Sequence, residues 1–192
     1  MFSILDAPTT ENEQIPTSRP PWVWVGFVFA FAFFVIEILW LALALEERGV
    51  DVILKLIVLG GSIYWLICIH RIHKILAQLT RNRYPITPGQ AAGYHFVPFY
   101  NLVWIFKWPI ELSEYINRHG RVKMIPGGLI GTLFLVALLL RFFDGSFGLL
   151  CTFAVTMYIS AKLKQHVRTL QGITPDQLPP LPDPAIFSRP QT

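Results

Sequence analysis

Four stretches of the chain are apolar on every face rather than along one stripe: Trp22 to Leu45, Val52 to Ile69, Ile125 to Phe143, and Phe147 to about Leu163. A run of about 20 such residues carries a helix across the hydrocarbon core of a bilayer. Each run meets that length or falls just short of it, so the pattern predicts an all-α membrane protein with four transmembrane helices. The first run is read as a retained span rather than a secretory leader. Mostly polar residues precede it, Arg19 is the only basic one among them, and its apolar core is too long for a leader. After the second run the pattern becomes amphipathic. Ile72, Ile75, Leu76 and Leu79 share one helical face while Arg71, Lys74 and Gln78 lie elsewhere, which predicts a helix lying against the headgroups.

Residues 87–109, TPGQAAGYHFVPFYNLVWIFKWP, are long and apolar enough to suggest a further crossing, yet they contain His95, Pro98, Asn101, Lys107 and Pro109. All five are costly in hydrocarbon. Thr87-Pro88-Gly89-Gln90 has the form of a capping box with proline at the first helical position, so a helix is expected to start there. Pro98 should break it, because proline lacks an amide donor and frees a carbonyl one turn earlier. Asn101 brings an amide able to satisfy such a group, making Pro98 and Asn101 a candidate polar break. Tyr94, Tyr100, Trp104 and Trp108 suit an interfacial depth. The segment is therefore expected to form a Pro-broken re-entrant or interfacial helix over 88–117 on the cytoplasmic side, with a fifth span as the competing reading.

Charge decides between these readings. If the segment does not cross, 13 of the 16 Lys and Arg residues fall on one side, against Arg48 and the boundary residue Arg141 on the other, with Lys55 inside a span. If it crosses, eight basic residues lie outside and six inside. Positive residues accumulate on the cytoplasmic side, so four spans with both termini cytoplasmic are expected. The composition agrees: 53% hydrophobic residues, 15% charged and a mean hydropathy of +0.49 are too apolar for an ordinary soluble domain. The organisation expected is a polar tail over 1–21, a single polytopic domain over 22–168, and a disordered tail over 169–192 rich in proline from Pro175 to Pro190.

The run PGQAAGYHFVPFYNLVWIF, set between two upstream and two downstream apolar runs, resembles the signature of a bacterial integral membrane family, domain of unknown function 4328. The residues that carry the resemblance are Pro88, Gly89, Ala91, Gly93, Pro98, Phe99, Tyr100 and Asn101, and it covers about residues 22–168. It implies an inner (plasma) membrane setting and no particular activity, so no catalytic role follows for any residue.

Candidate chemistry is sparse. Glu37 and Lys55 are the charges inside the first two spans. Counted at 1.5 Å per residue from the outer ends they lie about 12 Å and about 6 Å deep, close enough to form a buried pair. The competing reading lets Lys55 snorkel outward and leaves Glu37 protonated or hydrogen-bonded in the bundle. Gly60, Gly61, Gly127 and Gly131 are expected at helix contacts, Gly127 and Gly131 as a small-xxx-small pair. His70 and His73, and Glu111 and Glu114, each sit three apart on one helical face, a spacing that metal sites in bundles use. His beside Arg71 and Lys74 also fits an interfacial cation, and Glu114 can pair with Arg118, so no metal is assigned. Cys68 and Cys151 fall most of a bilayer apart and cannot bridge within one chain. The chain contains no nucleophile elbow, zinc-protease motif, phosphate loop or dinucleotide fingerprint, which leaves no catalytic or cofactor residue to name.

The expected function is that of a non-enzymatic integral membrane scaffold or accessory protein. The alternatives are a small transporter or channel subunit, favoured if Glu37 and Asn101 line a wet cavity, and a membrane enzyme with a cytoplasmic-side His/Glu site. The expected partners are anionic lipid headgroups facing the basic connectors, and a membrane protein or a second copy of the chain. Nucleic acid is not among them.

Overall fold

The computed structural model describes residues 19–43, 47–81, 83–119 and 122–171, without the side chains of Glu47, Arg48 and His119. The expectations for the N-terminal tail up to residue 18 and for the Pro-rich segment beyond 171 lie outside the described residues. Every regular element among those described is helical: α1 Trp24–Leu43, α2 Glu47–Leu79, α3 Pro88–Gly93, a 3-10 turn Tyr94–Phe96, α4 Tyr100–His119, α5 Gly127–Phe143 and α6 Gly145–Gln171. Helices α1, α2 and α6 are each long and apolar enough to cross a membrane, which marks the chain as a membrane protein. Helix α5 is apolar but has only 17 residues.

Small residues set how these helices pack. Helix α6 lies against α1, α2 and α5. Gly26 receives the ring of Phe153, while a Cβ on Gly60 would stand 2.9 Å from Phe29 and one on Gly61 2.9 Å from Leu149. Gly127 is pressed against the backbone of Pro109 and Ile110, and Gly131 against Phe106, whose Cα would lie 2.9 Å from an added Cβ. The four glycines singled out by sequence thus sit at contacts within the chain. Gly26, Gly145 and Gly148 serve contacts that the sequence reading did not assign.

Those same contacts orient α4. Ile110 lies at Gly127 and Phe106 at Gly131, so α4 runs antiparallel to α5. Tyr100 then sits about 9 Å further along α5 than Phe106, at 1.5 Å per residue. At the other end of α4, the Tyr115 hydroxyl donates to the Leu79 carbonyl at 3.2 Å. The connector that leaves α2 and the C-terminal half of α4 therefore share one end of the bundle, and residues 88–119 fold as a hairpin with α3 bonded to α4.

The hairpin begins as its sequence predicts. Thr87 accepts from the Gln90 amide, and the Gln90 side chain accepts from the Thr87 amide, closing the capping box with Pro88 inside the first turn. It turns at Pro98. The Tyr94 carbonyl, one turn before that proline, accepts from Val97 N–H at 3.4 Å, and Asn101 N–H donates to the Val97 carbonyl at 3.0 Å. The backbone thus satisfies the freed carbonyl, and the Asn101 side chain bonds elsewhere. Phe99 carries the turn with φ 61°, a left-handed conformation that bulky residues rarely hold.

The expectation that Arg71–Leu79 lies on headgroups is corrected. The segment continues α2, and Ile72, Ile75, Leu76 and Leu79 are buried in a core with Trp104, Trp108, Leu112, Ile116 and Leu163, so protein rather than lipid covers its apolar face. Helix α6 also outlasts its apolar run, burying His166 and Val167. Its last residues, 169–171, are helix where the sequence reading began the tail.

Candidate functional site

A polar cluster walled by aromatic rings lies where the hairpin meets α2. Helix α2 contributes Trp65, Ile69 and His73, the 3-10 turn contributes His95, and α4 contributes Asn101, Trp104, Trp108 and Glu111, with Tyr84 from the connector. His73 is fully buried, its ring 5.4 Å from Trp108, 5.8 Å from Trp104 and 5.9 Å from Tyr84. His95 meets Trp65 edge-on at 4.7 Å. Trp65 meets Phe134, which in turn meets Trp108, so one continuous aromatic wall links the two histidines.

The hydrogen bonds set both imidazole tautomers. His73 Nδ1 lies 3.0 Å from the Ile69 carbonyl, which can only accept, so Nδ1 carries the proton and Nε2 presents a lone pair. His95 Nδ1 donates in the same way to Asn101 Oδ1 at 2.7 Å. Neither Nε2 has a protein partner, nor does the buried Trp108 indole nitrogen. Burial pushes the His95 imidazole down to about 4, against the opposing effect of its bond to Asn101, so it is neutral at physiological pH.

The acidic part of the cluster is separate. Tyr84 donates its hydroxyl to Glu111 at 2.8 Å, and Lys107 stands 3.9 Å from the same carboxylate. Burial raises the Glu111 carboxyl above the usual range, opposed by the Tyr84 bond and Lys107; burial, then the charge of Glu111, raises the Tyr84 phenol. Glu114 instead faces outward and pairs with Arg118 at 3.3 Å. The pairs at three-residue spacing are therefore divided, one member in and one out: His73 and Glu111 are buried, while His70 is exposed and Glu114 half-exposed. Among the described residues no group of three or more His, Cys, Asp or Glu side chains is placed to hold a metal ion.

The intramembrane charges are not brought together. Lys55 donates to Asp51 at 2.6 Å, one helical turn away on its own helix. Glu37 lies beside Ser146 and Asp144 at the start of α6. The expected Glu37–Lys55 pair is replaced because Lys55 has a carboxylate at i−4 that costs no interhelical reach. Cys68 is buried and Cys151 half-buried, both free.

Compared with known proteins, the chain matches no family model, no curated protein and no solved structure. Sequence reasoning left Tyr94-His95 without a partner and did not link Tyr84 to Glu111. The Asn101 side chain, expected to satisfy a carbonyl freed by Pro98, instead accepts from an imidazole six residues earlier in the chain. Asn101→Leu should cost about 1–3 kcal/mol by leaving the His95 Nδ1–H without its acceptor, although it makes the segment more apolar. A thermal melt at matched detergent concentration checks this, and an unchanged or raised midpoint would remove the role.

Proposed function

We propose that the protein is a non-enzymatic integral membrane scaffold or accessory protein that acts through helix and lipid contacts. In this reading α1, α2, α5 and α6 each cross an inner (plasma) membrane, and both termini are cytoplasmic. The observation that carries it is an outward apolar belt around a closed core. Phe31, Leu41, Leu56, Leu59, Leu139 and Phe142 all face away from the bundle. The belt continues onto the hairpin turn, where Phe96 is 72% and Phe99 86% exposed. Such side chains belong in hydrocarbon, which supports a re-entrant hairpin whose α3 packs on α2 and whose α4 packs on α5. Arg81 and Arg83 of the α2–α3 connector and Arg118 of α4 lie at one end, which supports a cytoplasmic assignment for that end. Asn101 is engaged by His95 and Glu37 lies at the start of α6, an arrangement that favours the scaffold over the transporter reading. The resemblance carried by Pro88–Asn101 supports a bacterial setting.

Single cysteines at Arg83 and Arg118, in a background with Cys68 and Cys151 replaced, should both be shielded from an impermeant thiol reagent in intact cells. Labelling at 118 alone would establish a fifth crossing. For the activity itself, purified protein in vesicles should pass protons and small ions no faster than empty vesicles. Photo-crosslinking from Leu56 in native membranes should capture a defined membrane protein. A proton flux that depends on His73 or Glu111 would replace the scaffold with a transporter.

A further inference from the structure

A groove of about 380 Å³ opens on the outward face between α1 and α6. Its wall is made by Phe27, Phe31, Phe34 and Phe147 with Ala30 and Leu150, and Ser146 supplies a hydroxyl. Phe27, Phe31 and Phe34 stand on successive turns, so the groove follows α1 for about 10 Å. Glu37 is one turn further, level with Ser146 at the turn between α5 and α6. The apolar slot thus runs inward from a polar end situated where the short α5 hands over to α6.

The polar end carries two carboxylates, Glu37 and Asp144, while the Arg141 guanidinium on the last turn of α5 is turned to Ser62 on α2. Asp144 caps α6 by accepting from Ser146 N–H at 2.9 Å and Phe147 N–H at 3.0 Å. It also takes the Ser146 hydroxyl proton at 2.6 Å. A hydroxyl has one proton, so the same group cannot also donate to Glu37, which lies beside it. Two carboxylates thus compete for a single hydroxyl proton at the mouth of an acyl-sized groove. A primary ammonium brings a positive charge and three N–H donors, which suits two neighbouring carboxylates that share one hydroxyl proton.

We propose that the groove holds one acyl chain of an aminophospholipid, with the headgroup ammonium set against Glu37 and Asp144. The proposal rests on the reading that α1 and α6 cross a bilayer, which the thiol-labelling experiment tests separately. The ligand is distinguished from other lipids by its N–H donors: a choline headgroup carries the charge without them, and a glycerol headgroup leaves the lipid anionic beside two carboxylates.

Native mass spectrometry of the delipidated full chain, titrated with dioleoyl phosphatidylethanolamine, phosphatidylcholine or phosphatidylglycerol, tests this. Phosphatidylethanolamine should bind about tenfold more tightly than either of the others. Glu37→Gln should bring it down to the phosphatidylcholine level, while Glu37→Asp keeps part of the preference. Leu150→Trp, which fills the groove from an exposed position, should weaken all three. Equal binding of ethanolamine and choline lipids, a preference that survives Glu37→Gln, tighter binding of phosphatidylglycerol, or indifference to Leu150→Trp would each overturn the proposal. A melt of each variant separates lost lipid binding from lost folding.

Discussion

Gly127→Ala is expected to cost about 3 kcal/mol or more, an unusually large effect for the addition of one methyl group. The new Cβ would enter the backbone of α4, meeting the Ile110 Cα and amide nitrogen and the Pro109 carbonyl oxygen. A side chain in that position could swing to another rotamer; a helix backbone can yield only by moving α4 off α5. Gly128, the next residue, is the control. A Cβ there meets nothing within 4 Å, so Gly128→Ala should be neutral or stabilise by up to about 1 kcal/mol through helix propensity. Detergent melts of the two variants read the difference directly. Equal midpoints would mean that α4 does not lie on α5 as described.

Trp104→Ala should be comparably severe, at about 3–5 kcal/mol. Trp104 is fully buried, and its indole N–H donates to the Ala91 carbonyl at 3.0 Å, tying α4 to α3 across the hairpin. Its ring also stacks on Tyr100 and His73 and meets Tyr94 edge-on at 5.1 Å. Removing it empties the centre of the hairpin and strands a carbonyl at the same time. Trp104→Phe separates the two effects, since it keeps most of the packing and loses only the donor, at about 1–3 kcal/mol. If limited proteolysis and melting midpoint leave Trp104→Ala indistinguishable from wild type, the hairpin is not held by this residue.

What could be read from the chain is what its local chemistry encodes. The capping box at Thr87–Gln90 needs only four consecutive residues, and the amphipathic stripe Ile72, Ile75, Leu76 and Leu79 needs only helical spacing, so both were legible. The break at Pro98 was legible for the same reason. The covering of that stripe was not, because an apolar helical face looks the same whether lipid or another helix lies against it. The bond between Tyr84 and Glu111 joins residues 27 apart through a connector of no regular period, and no spacing rule anticipates it. The Glu37–Lys55 pairing failed for a geometrical reason. Counting depth from the outer ends of two helices leaves the facing sides of those helices undetermined, and Lys55 found Asp51 on its own helix while Glu37 faced α6.

The shortness of α5 reaches beyond the chain itself. Its 17 residues span about 25 Å, while the 20 of α1 span about 30 Å. Glu37, six residues before the end of α1, is already level with the start of α6. If α5 crosses the bilayer as proposed, the protein presents a tall flank and a low flank, and the lipids around it meet a step in thickness. Mismatch of this kind costs fractions of a kcal/mol per ångström and is relieved by tilt, by local thinning, or by a neighbour whose own helices are equally short. The step gives the low flank a reason to seek company and gives the protein a preference for thin membranes, both without any specific side-chain contact.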